Sequence, residues 1–173
     1  MKAVFIDKDG VVYTGVMRPG FSAPTAPRTL EESILCEGVA EALDLLKNHG
    51  YLRILVTNQP DIAYGTMTQE NWRLIREEID KLSFDDVYVC FHGRKEKCRC
   101  MKPEPGMFED AVRKWDIDVS SSFIVGDTEN DAEAGKTIGC TTILLDRTYN
   151  SGISSDVRAK SLLEAAKWIV GHP

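Results

Sequence analysis

The chain has 173 residues, a length that predicts a single domain with enough chain to bury a core. Its 21 Lys and Arg against 27 Asp and Glu give a net charge of −6, which argues against a nucleic-acid partner because such binding needs a basic surface. The sequence has no apolar run near the roughly 18 residues of a membrane span and no signal-peptide pattern. We therefore expect a soluble, cytoplasmic protein with no membrane partner. The sequence carries no signal of oligomeric state, and a monomer is the default expectation.

Short β-branched segments alternate along the chain with longer amphipathic ones. The β-branched segments predict strands at 2–6, 53–56, 86–91, 122–125 and 141–145. Apolar residues at helical spacing predict helices at 37–48, 68–82, 106–115, 130–138 and 161–170. Thr68 is a predicted helix cap, and Gly50 is a predicted glycine just beyond a helix end. The alternation predicts an α/β fold with a mostly parallel sheet covered on both faces.

Polar motifs stand where several predicted strands end. Asp-Lys-Asp-Gly at 7–10 follows the first strand, Thr-Asn at 57–58 follows the second, and Gly-Asp-Thr-Glu-Asn-Asp at 126–131 follows the fourth. Lys-Pro at 102–103 precedes the third helix. Each motif alone is also typical of an acidic turn, a loop start, a surface lysine or a helix cap. Because open α/β sheets bind ligands beyond the carboxyl ends of their strands, the four motifs together favour a catalytic site.

The order DxDG, Thr-Asn, Lys-Pro and GDxxxD resembles that of the haloacid dehalogenase (HAD) superfamily of phosphatases. The resemblance extends from Asp7 to Asp131 and implies a Rossmannoid three-layer sandwich. It also implies hydrolysis of a phosphate ester through an aspartyl-phosphate, with Asp7 as the nucleophile. Asp9 would protonate the leaving oxygen and then take a proton from water, which requires a pKa raised toward neutrality.

The same resemblance implies a catalytic Mg²⁺. Hydrolysis of a phosphate monoester is slow, and a carboxylate is repelled by the anionic ester, so a cation held by oxygen ligands is needed. Asp7 and Asp127 would supply carboxylate ligands and Asp9 a carbonyl, and Asp131 would support this set. The side chains expected to contact the transferring phosphoryl group are those of Lys102, Thr57 and Asn58.

A cluster of thiols precedes the Lys-Pro motif. The chain has five cysteines, and this odd number in a sequence without an export signal argues against a disulfide framework. Cys90, His92, Cys98 and Cys100 provide three thiols and an imidazole, which suit tetrahedral Zn²⁺ and would fill a closed structural site. The segment between them is charged and poor in apolar residues, so burial alone would not order it. We therefore predict a structural Zn²⁺ in a loop at 90–100.

The thiol cluster narrows the resemblance within the superfamily. A CxH…CxC pattern that leads into 102–107, with Asn-Gln at 58–59, Ile-Ala at 62–63 and Gly65, looks like the D-glycero-D-manno-heptose-1,7-bisphosphate 7-phosphatase group. Histidinol-phosphate phosphatases are close relatives of that group. The resemblance implies a phosphatase without a separate cap domain that acts on this heptose bisphosphate or on a related sugar phosphate.

Several positions depart from the pattern of that group. Met101 stands where an arginine suited to gripping the second phosphate is usual, Tyr64 where arginine is frequent, Asp61 where a small residue is frequent, and Thr128 where a basic residue is common. Two alternatives therefore stay open. One is a histidinol-phosphate phosphatase, whose cationic substrate would suit Asp61 or Glu129, and the other is an inactive, zinc-stabilised interaction module.

A proline-bearing segment at 18–30 follows the first motif and is long for the group. Arg18 and Arg28 on this segment would allow it to act as a lid over the site. The alternative is an ordinary loop with exposed arginines. His49 and His172 are expected at the surface rather than as ligands.

Overall fold

In the computed structural model, which describes residues 1–172, the strands form one parallel sheet. They are β1 (Ala3–Ile6), β2 (Leu52–Asn58), β3 (Asp86–Cys90), β4 (Phe123–Gly126), β5 (Thr141–Leu145) and β6 (Val157–Ala159). Their spatial order is β3-β2-β1-β4-β5-β6, and every neighbouring pair is parallel. β1 therefore lies between β2 and β4, at the point where the direction of winding reverses and α/β sheets bind their ligands.

Helices cover both faces of the sheet. They are α1 (Val39–Asn48), α2 (Gln69–Asp80), α3 (Gly106–Trp115), α4 (Glu129–Ile138) and α5 (Leu162–Gly171). Val4 and Ile6 on β1 pack in a core with α1, α2 and α5, whereas Ala3 and Phe5 pack in a second core with α3 and α4. This alternation of buried side chains confirms the predicted three-layer α/β sandwich. Within residues 1–172, no helix is both long and apolar enough to cross a membrane.

Most predicted elements are present with small shifts at their ends. α3 and β5 have the predicted bounds, and the Thr68 hydroxyl accepts from Asn71 N at 3.1 Å to cap α2. β2 is longer than predicted because it includes Thr57 and Asn58. β6 was not predicted, because a three-residue edge strand is too short to show an alternating pattern.

Between β1 and α1 the chain makes an irregular excursion over residues 14–36, which we call the strap. Val16 and Thr25 form an isolated antiparallel bridge within it, and Arg18 Nη2 lies 2.5 Å from Glu32 Oε2. The backbone N–H of Arg28 also donates to Glu32 Oε2 at 2.8 Å. These bonds give the strap a defined shape, although it contains no helix or regular strand.

Candidate active site

The carboxyl ends of β1, β2 and β4 meet at one edge of the sheet. Asp7 directly follows β1, and Asp127 directly follows β4. A pocket of about 580 Å³ opens beside them, and residues 21–26 of the strap form part of its wall. The sequence-predicted residues that line this pocket are Asp7, Asp9, Asn58, Lys102 and Asp127.

Three carboxylates lie together at the base of this site, and two of them share one ammonium group. Oxygen atoms of Asp7, Asp127 and Asp131 all lie within 4.8 Å of one another. Lys102 Nζ lies 2.8 Å from Asp7 Oδ1 and 2.6 Å from Asp131 Oδ1, and it donates to the carbonyl of Val56 at 3.1 Å. Burial alone would lower the pKa of Lys102, but the Asp131 and Asp7 carboxylates outweigh it and raise that pKa. Lys102 is therefore a buried, charged lysine.

The negative charge of the three carboxylates exceeds the positive charge of the one ammonium group beside them. Burial raises the pKa of Asp7 well above its usual value, against the opposing effect of Lys102. Burial, assisted by Asp131, raises the pKa of Asp127 to about 7. Asp127 Oδ1 is buried and has no hydrogen-bond partner among residues 1–172. Oxygen ligands with an unbalanced negative charge are the donor set that a hard divalent cation prefers.

The carboxylate of Asp7 has one oxygen held and one free. Lys8 N donates to Asp7 Oδ1 at 2.7 Å, on the oxygen that also faces Lys102. Oδ2 receives no hydrogen bond from residues 1–172. Gly10 follows with a φ of +82°, and a Cβ there would collide with the Asp127 carboxylate. The glycine thus allows the two metal-binding candidates to approach each other, and Asp7 Oδ2 is the oxygen left to meet a ligand.

Asp9 is held by two buried side chains that the sequence reasoning did not assign to the site. The Lys8 ammonium forms an ion pair with Asp9 Oδ1, and Gln59 Nε2 donates to Asp9 Oδ2 at 2.7 Å. Gln59 Nε2 also lies 2.9 Å from the hydroxyl of Thr57, which is fully buried. A lysine between two motif aspartates is a signal that could have identified Lys8. Gln59 could be found only through its place next to Asn58.

Asn58 and Asp131 both fix the position of Lys102. Asn58 Oδ1 accepts from Lys102 N at 2.9 Å, and Asn58 Nδ2 donates to the Lys102 carbonyl at 3.1 Å. Asp131 uses Oδ1 for the ammonium and Oδ2 for the N–H and hydroxyl of Thr128, at 3.1 and 2.6 Å. The side chain of Asp131 is fully buried, both its oxygens are engaged, and it does not line the pocket.

The loop after β5 contributes two more residues that no sequence signal indicated. The Tyr149 hydroxyl donates to Asp127 Oδ2, so the other oxygen of that carboxylate is the unpartnered one. Asn150 Nδ2 donates to the carbonyls of Asp127 and Leu145 at 2.7 and 2.8 Å. The loop is irregular and lies about twenty residues further along the chain than Asp127, so only the folded chain brings these groups together.

The four predicted zinc ligands form a second cluster beside the pocket. Cys90, His92, Cys98 and Cys100 place one donor atom each within 4.8 Å of the others. The Sγ atoms of Cys90 and Cys98 are 3.7 Å apart, and those of Cys90 and Cys100 are 2.7 Å apart. His92 Nδ1 lies 3.1 Å from Cys100 Sγ and 3.5 Å from Cys90 Sγ. Ligands of a tetrahedral zinc ion are separated by about 3.3 to 3.8 Å, given metal–ligand distances of about 2.0 to 2.3 Å. The 3.5 and 3.7 Å separations fall in this range, and the two that involve Cys100 Sγ at 2.7 and 3.1 Å are shorter. The four side chains are therefore suited to holding a metal ion.

Comparison with known proteins identifies one family and a consistent set of relatives. The family model of the haloacid dehalogenase-like hydrolases matches residues 25–139. The D-glycero-beta-D-manno-heptose-1,7-bisphosphate 7-phosphatase of Haemophilus ducreyi is 35% identical over 85% of this chain and 84% of its own length. The protein of the same name from Vibrio cholerae is 35% identical over 84% of this chain and 81% of its own.

A solved structure matches over the full length of both chains. It is the D,D-heptose 1,7-bisphosphate phosphatase of B. bronchiseptica, in complex with magnesium and phosphate, with a TM-score of 0.85 and 25% sequence identity. The similarity covers 100% of each chain. The strap, the sheet and the loop at 90–100 therefore all lie within the part of the chain that the solved structure matches.

Proposed function

Because the chain belongs to the haloacid dehalogenase-like hydrolase family and is a phosphatase, we propose that it removes one phosphate from a heptose 1,7-bisphosphate through an aspartyl-phosphate. The observation that carries the mechanism is the cluster at the ends of β1 and β4. There, the nucleophile candidate Asp7 lines the pocket, and it has one oxygen held by Lys102 and one oxygen that accepts no hydrogen bond from residues 1–172. The relatives named above support the choice of substrate.

The donor set fits a catalytic Mg²⁺. The carboxylates of Asp7 and Asp127 and the carbonyl of Asp9 would hold it, and the buried, unpartnered Oδ1 of Asp127 is the observation that supports this assignment. When bound, the ion would neutralise the repulsion between the nucleophile and an anionic ester and orient the phosphoryl group. Tyr149 and Asp131 would then keep Asp127 in place from outside the ligand set.

We propose that the chain's own residues carry the remaining steps. Asp7 Oδ2 would attack phosphorus, forming a new O–P bond as the bond to the leaving oxygen breaks, and Asp9 would give that oxygen a proton. Asp9 would next take a proton from the water that hydrolyses the aspartyl-phosphate. Lys102 would offset the charge on the phosphoryl oxygens. The second amide hydrogen of Asn58, which lines the pocket, is the neutral donor proposed for the phosphate. The hydroxyl of Thr57, the other predicted donor, is fully buried and does not line the pocket, so we propose that it positions Gln59 instead.

The structure offers little support for a cationic substrate. Asp61, one of the two acidic residues that would suit histidinol phosphate, is bound by Arg28, with Nε 2.8 Å from Oδ1. Glu129 is exposed at the start of α4 and does not line the pocket. An acidic group already paired with a guanidinium is a poor partner for a further cation. The heptose bisphosphate is therefore our proposed substrate.

A substrate panel tests this proposal. Phosphate release would be measured in Mg²⁺ buffer, with and without EDTA, from both anomers of heptose 1,7-bisphosphate, histidinol phosphate, common sugar phosphates and an aryl phosphate. We expect the highest kcat/KM for a heptose bisphosphate and no turnover with EDTA. The proposed substrate would be wrong if the kcat/KM for histidinol phosphate were about tenfold higher than that for every sugar phosphate. That factor corresponds to about 1.4 kcal/mol of transition-state stabilisation. Absence of release from every compound would favour the non-enzymatic interaction module.

We also propose that the cysteine cluster holds a structural Zn²⁺ that orders the loop at 90–100. Arg94 within this loop and Met101 directly after it both line the pocket. The backbone N–H of Arg94 donates to the hydroxyl of Tyr64 at 2.7 Å, which joins the loop to the segment after β2. An ordered loop would therefore fix part of the substrate-binding wall.

Loss of the zinc ligands should loosen this loop selectively. We expect Cys98→Ser/Cys100→Ser to remove bound zinc and to speed tryptic cleavage at the exposed Arg94, Lys95 and Lys97, with Mg²⁺ present throughout. Cys36→Ser, which lies outside the cluster, is the matched control. Metal analysis of chelator-free wild-type protein should give about one zinc per chain, and less than about one per ten chains would refute the site.

Three broader expectations accompany the proposed function. We infer that the chain acts as one phosphatase domain with no separate cap, in agreement with full-length similarity to the solved relative. The five cysteines are free in the structure, which suits the reducing cytoplasm. A monomer remains the proposed state, and sedimentation analysis tests it.

A further inference from the structure

The pocket, of about 580 Å³, is larger than a single phosphate needs, and charged groups other than the clustered carboxylates line it. Arg28 on the strap and Arg94 on the loop at 90–100 line it together with Lys102. Lys102 is committed to Asp7 and Asp131. The cationic side chains available to a more distant part of a substrate are therefore the two arginines.

Arg28 is held in a fixed orientation by a buried carboxylate. Its Nε lies 2.8 Å from Oδ1 of Asp61, which is only 8% exposed and also accepts from the hydroxyl of Thr66. Its backbone N–H is bound to Glu32. The two terminal nitrogens of its guanidinium donate to no group within residues 1–172. Only one of the three guanidinium nitrogens is thus used by the protein.

The other candidate cations are less suited to fixed recognition. Arg18 is paired with Glu32 inside the strap and does not line the pocket. Arg94 is exposed and forms no ion pair with the described part of the chain, so no neighbour fixes its guanidinium. Met101, beside the catalytic lysine, contributes only an apolar surface to the pocket.

We propose that Arg28, oriented by Asp61, binds the second phosphate of the bisphosphate substrate through its two free terminal nitrogens. A guanidinium presents paired N–H groups that match phosphate oxygens, and a preoriented side chain loses less entropy on binding. Asp61 is then a positioning residue, and the unusual acidic residue at this place is explained by its partner on the strap. The inference rests on the proposed function, because it concerns the substrate of the same site.

The test compares a bisphosphate with a substrate that lacks the second phosphate. The measured quantity is the kcat/KM for heptose 1,7-bisphosphate divided by the kcat/KM for an aryl phosphate. We expect Arg28→Gln to lower this ratio about 30-fold, chiefly by raising the KM for the bisphosphate. Arg28→Lys should recover part of the ratio, because it keeps the charge and loses the paired geometry. Asp61→Asn should lower the ratio less, by about fivefold, because Arg28 retains its charge and loses its orientation.

Matched controls separate recognition from a structural role. Arg113→Gln, on the exposed surface of α3 and away from the pocket, should leave the ratio unchanged. An Arg28→Gln variant that keeps the wild-type ratio, whether both activities fall by the same factor or neither falls, would overturn the assignment. A selective loss in Arg94→Gln with none in Arg28→Gln would also overturn it. Failure of the proposed function looks different, since wild-type protein would then hydrolyse the aryl phosphate and not the bisphosphate.

Discussion

Asp7→Asn is expected to lower phosphate release by about 10⁴-fold or more, because an amide cannot form the aspartyl-phosphate. The chain should still fold. Burial raises the pKa of Asp7, so the native state binds a proton more tightly than the unfolded chain does. The native state therefore loses stability as the pH rises from the usual pKa of an aspartate to the raised pKa of Asp7. At neutral pH and without metal, the neutral asparagine avoids this loss, and Lys102 keeps its ion pair with Asp131, so no buried charge is left unpaired. We therefore expect an unfolding midpoint equal to or above that of the wild type.

A companion substitution separates the nucleophile from the proton donor. Asp9→Asn should cost about 10²- to 10³-fold with a sugar phosphate, and less with an aryl phosphate, whose leaving group needs little protonation. Asp44→Asn, exposed on α1 and outside the pocket, is the matched control. The assignment of Asp7 fails if the asparagine variant retains more than about 1% of wild-type turnover in Mg²⁺ buffer.

Lys102→Met is expected to damage both stability and activity. Its ammonium is the group that faces Asp7, Asp131 and the Val56 carbonyl, and removing one partner of a buried ion pair costs about 3 to 5 kcal/mol. Turnover should fall at least about 10²-fold, because the phosphoryl oxygens also lose a positive charge. Chemical denaturation and phosphate release measure the two effects.

A double variant keeps this prediction testable if the single variant folds poorly. Lys102→Met/Asp131→Asn removes the carboxylate that Lys102→Met would leave unpaired, so it should recover part of the lost stability. It should not recover turnover. Recovery of activity in the double variant would show that Lys102 serves only to balance Asp131 and has no part in the reaction.

The main layers of the fold could be predicted from local patterns. β5 and α3 have the predicted bounds because their apolar spacing and flanking turn residues are unambiguous over short windows. The shifts at β2 arise because Thr57 and Asn58 are polar yet remain paired with β3, so a hydrophobic pattern ends before the strand does. Strand pairing, rather than side-chain polarity, decides where a parallel strand ends.

The sequence by itself determined which chemistry this protein can perform. The motifs that carry this chemistry are local in the sequence. They are the carboxylates and the hydroxyl after predicted strands, the lysine before the third helix, and the closely spaced thiols. Tertiary structure alone decided how these groups are held. The bonds from Gln59 to Asp9, from Tyr149 to Asp127 and from Arg28 to Asp61 join residues 50, 22 and 33 positions apart. Such pairs depend on how the strap and loops pack over the sheet, and no local pattern encodes that packing.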